Sequence, residues 1–308
     1  MDAKLYLPAG SSRDGAFDLV VTPESAGWAY CGLRVLRLAP GAAHTWPTGA
    51  DELLVLPLSG SAEVTCDGDT FGLEGRPDVF SRVTDFAYAP RDATVTVRSA
   101  GGGAFALPSA RCSRRLPPRY GAAQDVPVEL RGAGQASRQV NNFCAPEAFD
   151  CDKLIAVEVL TPGGNWSSYP PHKHDQARPA QAGEAGEKEA GEAELEEIYY
   201  FETSGLAYQR VYGTAERPID VLAEIGAGDV VLIPHGWHGP SIAAPGYDLY
   251  YLNVMAGPAD ERAWRFCDDP AHAWVRGTWR DQDLDPRLPL TSSSPTAPAS
   301  AGRGGGER

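Results

Sequence analysis

One pattern of short strands and turns occurs twice in this chain, and that duplication constrains its fold more than any other feature. The first copy runs Gly41-Ala42-Ala43-His44-Thr45-Trp46 and then Asp51-Glu52-Leu53-Leu54-Val55-Leu56-Pro57-Leu58-Ser59-Gly60. The second runs His172-Lys173-His174 and then Glu196-Glu197-Ile198-Tyr199-Tyr200-Phe201-Glu202-Thr203-Ser204-Gly205. Glu52 to Gly60 and Glu197 to Gly205 are both eight positions; Gly60 to Pro90 is 30 and Gly205 to Pro234 is 29. A repeat of this size implies two similar β-domains, not a short-period solenoid.

The copies differ between histidine and glycine: 16 positions from His44 to Gly60, 33 from His172 to Gly205. The excess matches an acidic, low-complexity stretch, residues 177–194. Such a composition offers little apolar surface to offset ordering entropy, so it reads as a flexible inserted loop with solvated glutamates.

Each copy breaks into short apolar runs between Gly, Pro and Asp turns. Strands are expected at Val35–Leu38, Leu53–Leu58, Ala62–Cys66, Phe86–Ala89 and Val95–Val97. In the second copy they are expected at Leu154–Leu160, Ile198–Phe201, Ala207–Tyr212, Val230–Ile233 and Leu249–Val254. Regularly spaced short strands point to an all-β chain of two barrel or jelly-roll domains with few short helices. Gly257–Phe266 is the one helix candidate. The expected divisions are 1–125, 126–288 and a disordered Ser/Ala/Gly/Pro-rich tail, 289–308.

His172 and His174 stand at i and i+2, so on a strand both face one side. Glu197 opens an aromatic, β-prone strand, and His238 follows the apolar strand Gly228-Asp229-Val230-Val231-Leu232-Ile233-Pro234. Three imidazoles and one carboxylate suit a divalent transition metal, with Zn2+ or Mn2+ favoured. A lone His-x-His is more often an exposed turn, but here three of the chain's six histidines join the pattern. In the first copy His44 matches His172 and Glu52 matches Glu197, while Trp46 and Thr94 stand where His174 and His238 do. That copy is expected to hold no metal. It should pack against the second barrel, cover its mouth or support a homo-oligomer.

The net charge of −14 argues against nucleic-acid binding. No run approaches the ~20 apolar residues that span a bilayer, and the N terminus lacks a signal-peptide core. Six scattered cysteines without a C-x-x-C suit reduced thiols, so a cytoplasmic protein is expected.

His-x-His, Glu, Gly and then Gly-Asp, Pro, His resembles the cupin superfamily, here as a bicupin. The stretches Tyr169-Pro-Pro-His-Lys-His-Asp175, Leu195-Glu-Glu-Ile-Tyr-Tyr200, Gln209-Arg-Val-Tyr212 and Pro245-Gly-Tyr-Asp-Leu-Tyr-Tyr-Leu-Asn-Val-Met-Ala-Gly257 resemble the 5-deoxy-glucuronate isomerase (IolB) family. The resemblance covers roughly residues 1–285. It implies an aldose–ketose isomerisation of 5-deoxy-D-glucuronate to 5-dehydro-2-deoxy-D-gluconate in myo-inositol catabolism. The longer acidic insert and His235 depart from the family pattern, which favours His238 as the ligand.

Such an enzyme needs proton-handling groups and a partner for the substrate carboxylate. Tyr199 shares Glu197's strand face, and Tyr251 and Asn253 alternate on another strand. Tyr199 and Tyr251 are the catalytic candidates, although cupin strands also bury aromatics as core. Arg210 is the first choice for the carboxylate and Arg138 the second, either of which could instead be a surface ion-pair residue; Asn253 is a third substrate contact. Gly246 and Gly257 are expected at positive φ, and Trp264, Trp274 and Trp279 are expected to pack. The competing readings are an Fe2+ dioxygenase and a non-catalytic sugar-acid binding protein. A ketol-isomerase of pectin breakdown would share the leading reading's chemistry.

Overall fold

The computed structural model describes residues 4–179, 181–182, 188–189 and 191–292. Apolar runs that the sequence bounds with turn residues become strands with the expected limits at Phe86–Ala89, Ala207–Tyr212 and Val230–Ile233. Leu53–Leu58 and Ala62–Cys66, expected as two strands, join into one, Asp51–Cys66. Its ladder shifts register between Pro57 and Ser59 and again between Gly60 and Ala62, so the strand bends through both sheets. Every described strand pair is antiparallel, and helix is confined to single turns such as Pro23–Ala26 and Val275–Thr278.

The metal-motif half is two sheets. A seven-stranded sheet runs Tyr6–Leu7, Val230–Ile233, Glu196–Thr203, Leu249–Ala256, Ile155–Thr161, Arg138–Asn142, Val128–Arg131. A second sheet orders Asp220–Ile225, Ala207–Tyr212, Trp237–Ala243, His172–Lys173 and Cys267–Asp268. Their inner faces enclose one core, with Val157, Tyr199, Phe201, Val211, Ile233 and Tyr251. The first half encloses another, with Leu36, Leu53, Val55, Val64, Val97 and Phe105.

A third apolar layer lies between the halves. Leu54, Leu56, Tyr88, Ile198, Tyr200, Tyr250 and Leu252 belong to it. Strands whose two faces are both buried carry continuous apolar runs, which explains Leu53-Leu54-Val55-Leu56 and Ile198-Tyr199-Tyr200-Phe201. The N terminus also crosses over: Tyr6–Leu7 adds to the second half's sheet against Val230 and Val231.

Side-chain alternation corrects the alignment of the copies. Glu52 shares a face with Leu54 and Leu56, so it points into the central layer and away from the first barrel's interior. Its carboxylate accepts backbone N–H bonds from Asp152 (2.9 Å), Lys153 (2.6 Å) and Leu154 (2.8 Å), and one from the Tyr88 hydroxyl (2.8 Å). Its counterpart is Glu196, which accepts from the N–H groups of Ala29 (2.7 Å), Tyr30 (2.8 Å) and Cys31 (2.8 Å). Leu53 therefore stands where Glu197 does, and of the four ligand positions the first copy retains only His44.

Four further expectations change. Gly257–Phe266 is not helical. Pro258 opens it, and Arg262 pins it by donating to the carbonyls of Cys144 (2.6 Å), Leu154 (2.9 Å) and Pro146 (3.2 Å). Gly257 is needed for space rather than for positive φ, since a Cβ there would lie 1.9 Å from the Glu194 carbonyl oxygen. The insert forms a β-hairpin: Asp175–Arg178 pairs with Glu192–Glu194, and Gln181–Ala182 with Lys188–Glu189. Residues 180, 183–187 and 190 of it lie outside the described residues. The start of the tail is also packed, because Thr291 is buried and exchanges hydrogen bonds with Gln139; 293–308 lie outside the described residues.

Candidate metal centre

His172 and His238 are directly opposed across an antiparallel pair, and Glu197 lies on the facing sheet between Ile233 and Met255. Gly239 allows this approach. A Cβ there would meet the Ser168 carbonyl oxygen at 1.8 Å, so only glycine can follow His238. Ser168 itself takes φ 47°, an uncommon conformation for a residue with a side chain.

Each imidazole is oriented through Nδ1. His172 donates to the Pro170 carbonyl (3.2 Å), His174 to that of Leu195 (3.3 Å) and His238 to that of Gly236 (3.3 Å). An Nδ1–H committed to a carbonyl leaves the Nε2 lone pair available, the arrangement found for metal-binding histidines. His174 Nε2 and His238 Nε2 both lie 3.1 Å from Glu197 Oε2. His238 Nε2 is buried and makes no hydrogen bond. Ligand atoms of His174, Glu197 and His238 lie within 4.8 Å of one another, a donor set that fits a divalent ion.

His172 does not join that tight group. Its ring sits edge-on to His238 at 4.5 Å and against Phe266 at 4.7 Å, lining the same cavity. Burial pushes its pKa down to about 3 and that of His238 well below the ordinary range, so both stay neutral and can offer lone pairs. For His174 burial acts the same way, but a hydrogen bond donated to the Glu197 carboxylate, together with that group's charge, outweighs it and moves the pKa up. His235 stands outside both the ligand group and the cavity lining.

The other expected residues divide. Tyr199 and Tyr251 line the cavity, their hydroxyls hydrogen-bonded to Ser168 Oγ at 2.9 and 3.1 Å. Asn253 also lines it, but its amide donates to Glu197 Oε1 (2.7 Å), so it holds the carboxylate. Arg210 is not at the site. Ala207 and Val211 face the core, which turns Arg210 outward to Asp220 and the Val221 carbonyl.

Arg138 does line the cavity. It is buried and donates to the Ala136 carbonyl (3.0 Å); among the described residues no carboxylate lies within ion-pair distance. Burial lowers its pKa to about 10, which leaves it charged at neutral pH. Arg131 and Arg276 join it in the lining; Arg131 stacks on Trp264 (4.7 Å), and Arg276 pairs with Asp268. Sequence reasoning missed Ser168, Arg131 and Arg276, and treated Trp264 as packing alone. Arg131 was within reach, because Val128–Arg131 reads as a strand entering the metal-motif half. The cavity is narrow, with about 30 Å³ of water-accessible space.

The KduI/IolB family profile matches residues 5–275. The chain belongs to the KduI/IolB family. Among KduI/IolB relatives, the 5-deoxy-glucuronate isomerase of Geobacillus kaustophilus is 40% identical over 89% of this chain and 95% of its own length. The crystal structure of an IolB-like protein from Salmonella typhimurium LT2 superposes with a TM-score of 0.79 at 33% identity, covering 89% of this chain and 99% of that one. Oxalate decarboxylase of Lactobacillus farciminis is similar in fold alone, with a TM-score of 0.59 and 14% identity over 87% and 89% of the two chains. The KduI/IolB chain is thus an all-β bicupin. Among its described residues no helix is long and apolar enough to cross a membrane, and its six cysteines are unpaired.

Proposed function

We propose that this protein is a metal-dependent aldose–ketose isomerase that converts 5-deoxy-D-glucuronate into 5-dehydro-2-deoxy-D-gluconate. One observation carries the reading: the convergent His174/Glu197/His238 group reaches, through Glu197, a cavity that is also lined by a buried arginine with no carboxylate partner among the described residues. Relatives with the name 5-deoxy-glucuronate isomerase over nearly their whole length support the choice of substrate. His174, Glu197 and His238 would hold the ion, with His172 beside them as the fourth ligand, and Zn2+ or Mn2+ are the best candidates for this donor set. A bound divalent ion would act as a Lewis acid, polarising the C1 carbonyl and stabilising charge that develops across the C1 and C2 oxygens.

The reaction moves the C2 hydrogen to C1 and the proton of the C2 hydroxyl to the C1 oxygen. Burial raises the pKa of both Tyr199 and Tyr251, so the phenols remain protonated. They act as donors, and Ser168 Oγ links them into a chain of three hydroxyls that can pass a proton between neighbouring oxygens. Arg138 receives the substrate carboxylate through its planar guanidinium. Asn253 fixes Glu197, so it supports the ligand instead of contacting the sugar. The protein is read as a cytoplasmic enzyme; a homo-oligomer is compatible with this fold.

The test is NMR of the metal-loaded protein with 5-deoxy-D-glucuronate in D2O. A ketone product supports the isomerase, and deuterium at C1 identifies proton transfer in place of a hydride shift. An unchanged aldehyde with verified metal occupancy would refute the assignment. Arg138→Met tests the carboxylate contact: KM should rise about 10- to 100-fold, the effect of losing a charged hydrogen bond worth about 1.5–3 kcal/mol. Steady-state kinetics reads this directly, and an unaltered KM would remove Arg138 from substrate binding.

A further inference from the structure

His172 and His174, the paired histidines proposed to hold the ion, flank Lys173, which alternation turns to the opposite side of the strand, away from the cavity. Lys173 is buried there, with Nζ 2.6 Å from Asp175 Oδ1 and 2.7 Å from Glu192 Oε1. Glu192 comes from the inserted hairpin, whose acidic composition predicts solvated glutamates. Instead it is only 2% exposed. Its Oε1 also accepts the N–H groups of Asp175 (2.9 Å) and Gln176 (3.2 Å), and its Oε2 accepts Arg178 Nε (2.9 Å) and the Cys267 thiol (3.3 Å).

The same cluster reaches the other ligands. Asp175 Oδ2 accepts the N–H of Gly236 (2.9 Å), two residues before His238, and the Lys173 ammonium sits 5.5 Å from the Trp237 ring centre. At the hairpin base Leu195 N–H donates to the His174 carbonyl (2.8 Å), and the Leu195 carbonyl accepts His174 Nδ1. Leu195 is two residues from Glu197. Every ligand-bearing segment is therefore tied, within a few bonds, to the inserted hairpin. The first copy shows the contrast, with no insert and with Thr45 in the position of Lys173, hydrogen-bonded across the strand to Thr96.

We propose that Glu192 is a positioning residue for the metal centre: by neutralising buried Lys173, the inserted hairpin holds His172, His174 and the His238 loop in ligating geometry. This rests on the metal-dependent reading above, but its test uses the metal alone. The affinity of the full chain for Mn2+ and Zn2+ is measured by competition with a chromophoric chelator, without sugar. Glu192→Gln should weaken binding about 10- to 100-fold, the effect of losing groups that orient ligands. Glu194→Gln, on the same hairpin but exposed, should stay within about twofold.

Affinity within about twofold of the parent for Glu192→Gln would overturn the proposal, including when its metal-free form melts earlier, because the cluster would then serve stability only. Should Glu192→Gln fail to fold, Lys173→Met with Glu192→Leu carries the test, since both charges leave together and neither is stranded. The same weakening is expected from that pair, and parental affinity would overturn the proposal. A parent chain that binds neither ion would overturn both this proposal and the metal centre. Weakened binding in a protein that leaves 5-deoxy-D-glucuronate unchanged would keep the positioning role and reject only the isomerase reading.

Discussion

Glu197→Gln is expected to reduce kcat/KM on the order of 10³-fold or more, with a thermal midpoint close to the parent's. The amide keeps an oxygen for Asn253, whose Nδ2 donates to Glu197 Oε1 at 2.7 Å, so local packing survives. What is lost is the negative charge that His174 Nε2 and His238 Nε2 approach at 3.1 Å. A divalent ion contributes several kcal/mol of transition-state charge stabilisation, and each ~1.4 kcal/mol is tenfold in rate. Metal content of the purified variant and its steady-state rate decide the matter together. A variant that retains both the ion and the parent's rate would show that Glu197 is not a ligand.

The largest effect on stability is expected at Arg76→Ala. Arg76 and Glu158 meet in the central layer, both side chains fully buried, in a two-pronged pair at 3.0 and 2.8 Å. Asn141 adds a third bond to Glu158 at 2.7 Å. Removing one partner leaves the other charge buried and uncompensated, a loss of about 3–5 kcal/mol. Arg76→Met with Glu158→Leu should recover most of it, because both charges leave together. Urea denaturation of the three proteins measures this, and a loss below about 1 kcal/mol for Arg76→Ala would mean that the pair is relaxed or hydrated in solution.

Much of the fold was legible in the sequence because turn residues bracket its apolar runs, as at Val230–Ile233. Strand periodicity places His172 and His174 on one face, and the structure gathers His174 with Glu197 and His238 while His172 stands beside them. The same rule, applied to Ala207-Tyr208-Gln209-Arg210-Val211, would have turned Arg210 outward. Glu52 was harder to read, since Leu53-Leu54-Val55-Leu56 is apolar on both faces and gives no sign of which side meets which core. Ser168 depends on contacts to Tyr199 and Tyr251, 31 and 83 residues away, which no local pattern records. Glu192 was hidden by composition, one buried carboxylate in a run of glutamates.

Glu52 reaches from the first copy to the start of a strand in the second, and Glu196 reaches back in the same way. With these crossed clasps around a shared layer, parting the halves would leave both carboxylates and the N–H groups that they hold without partners. The copy without the ligand set is thereby part of the other's foundation: Glu196, next to Glu197 on its strand, is seated by N–H groups of Ala29, Tyr30 and Cys31, which a second barrel on its own would lack.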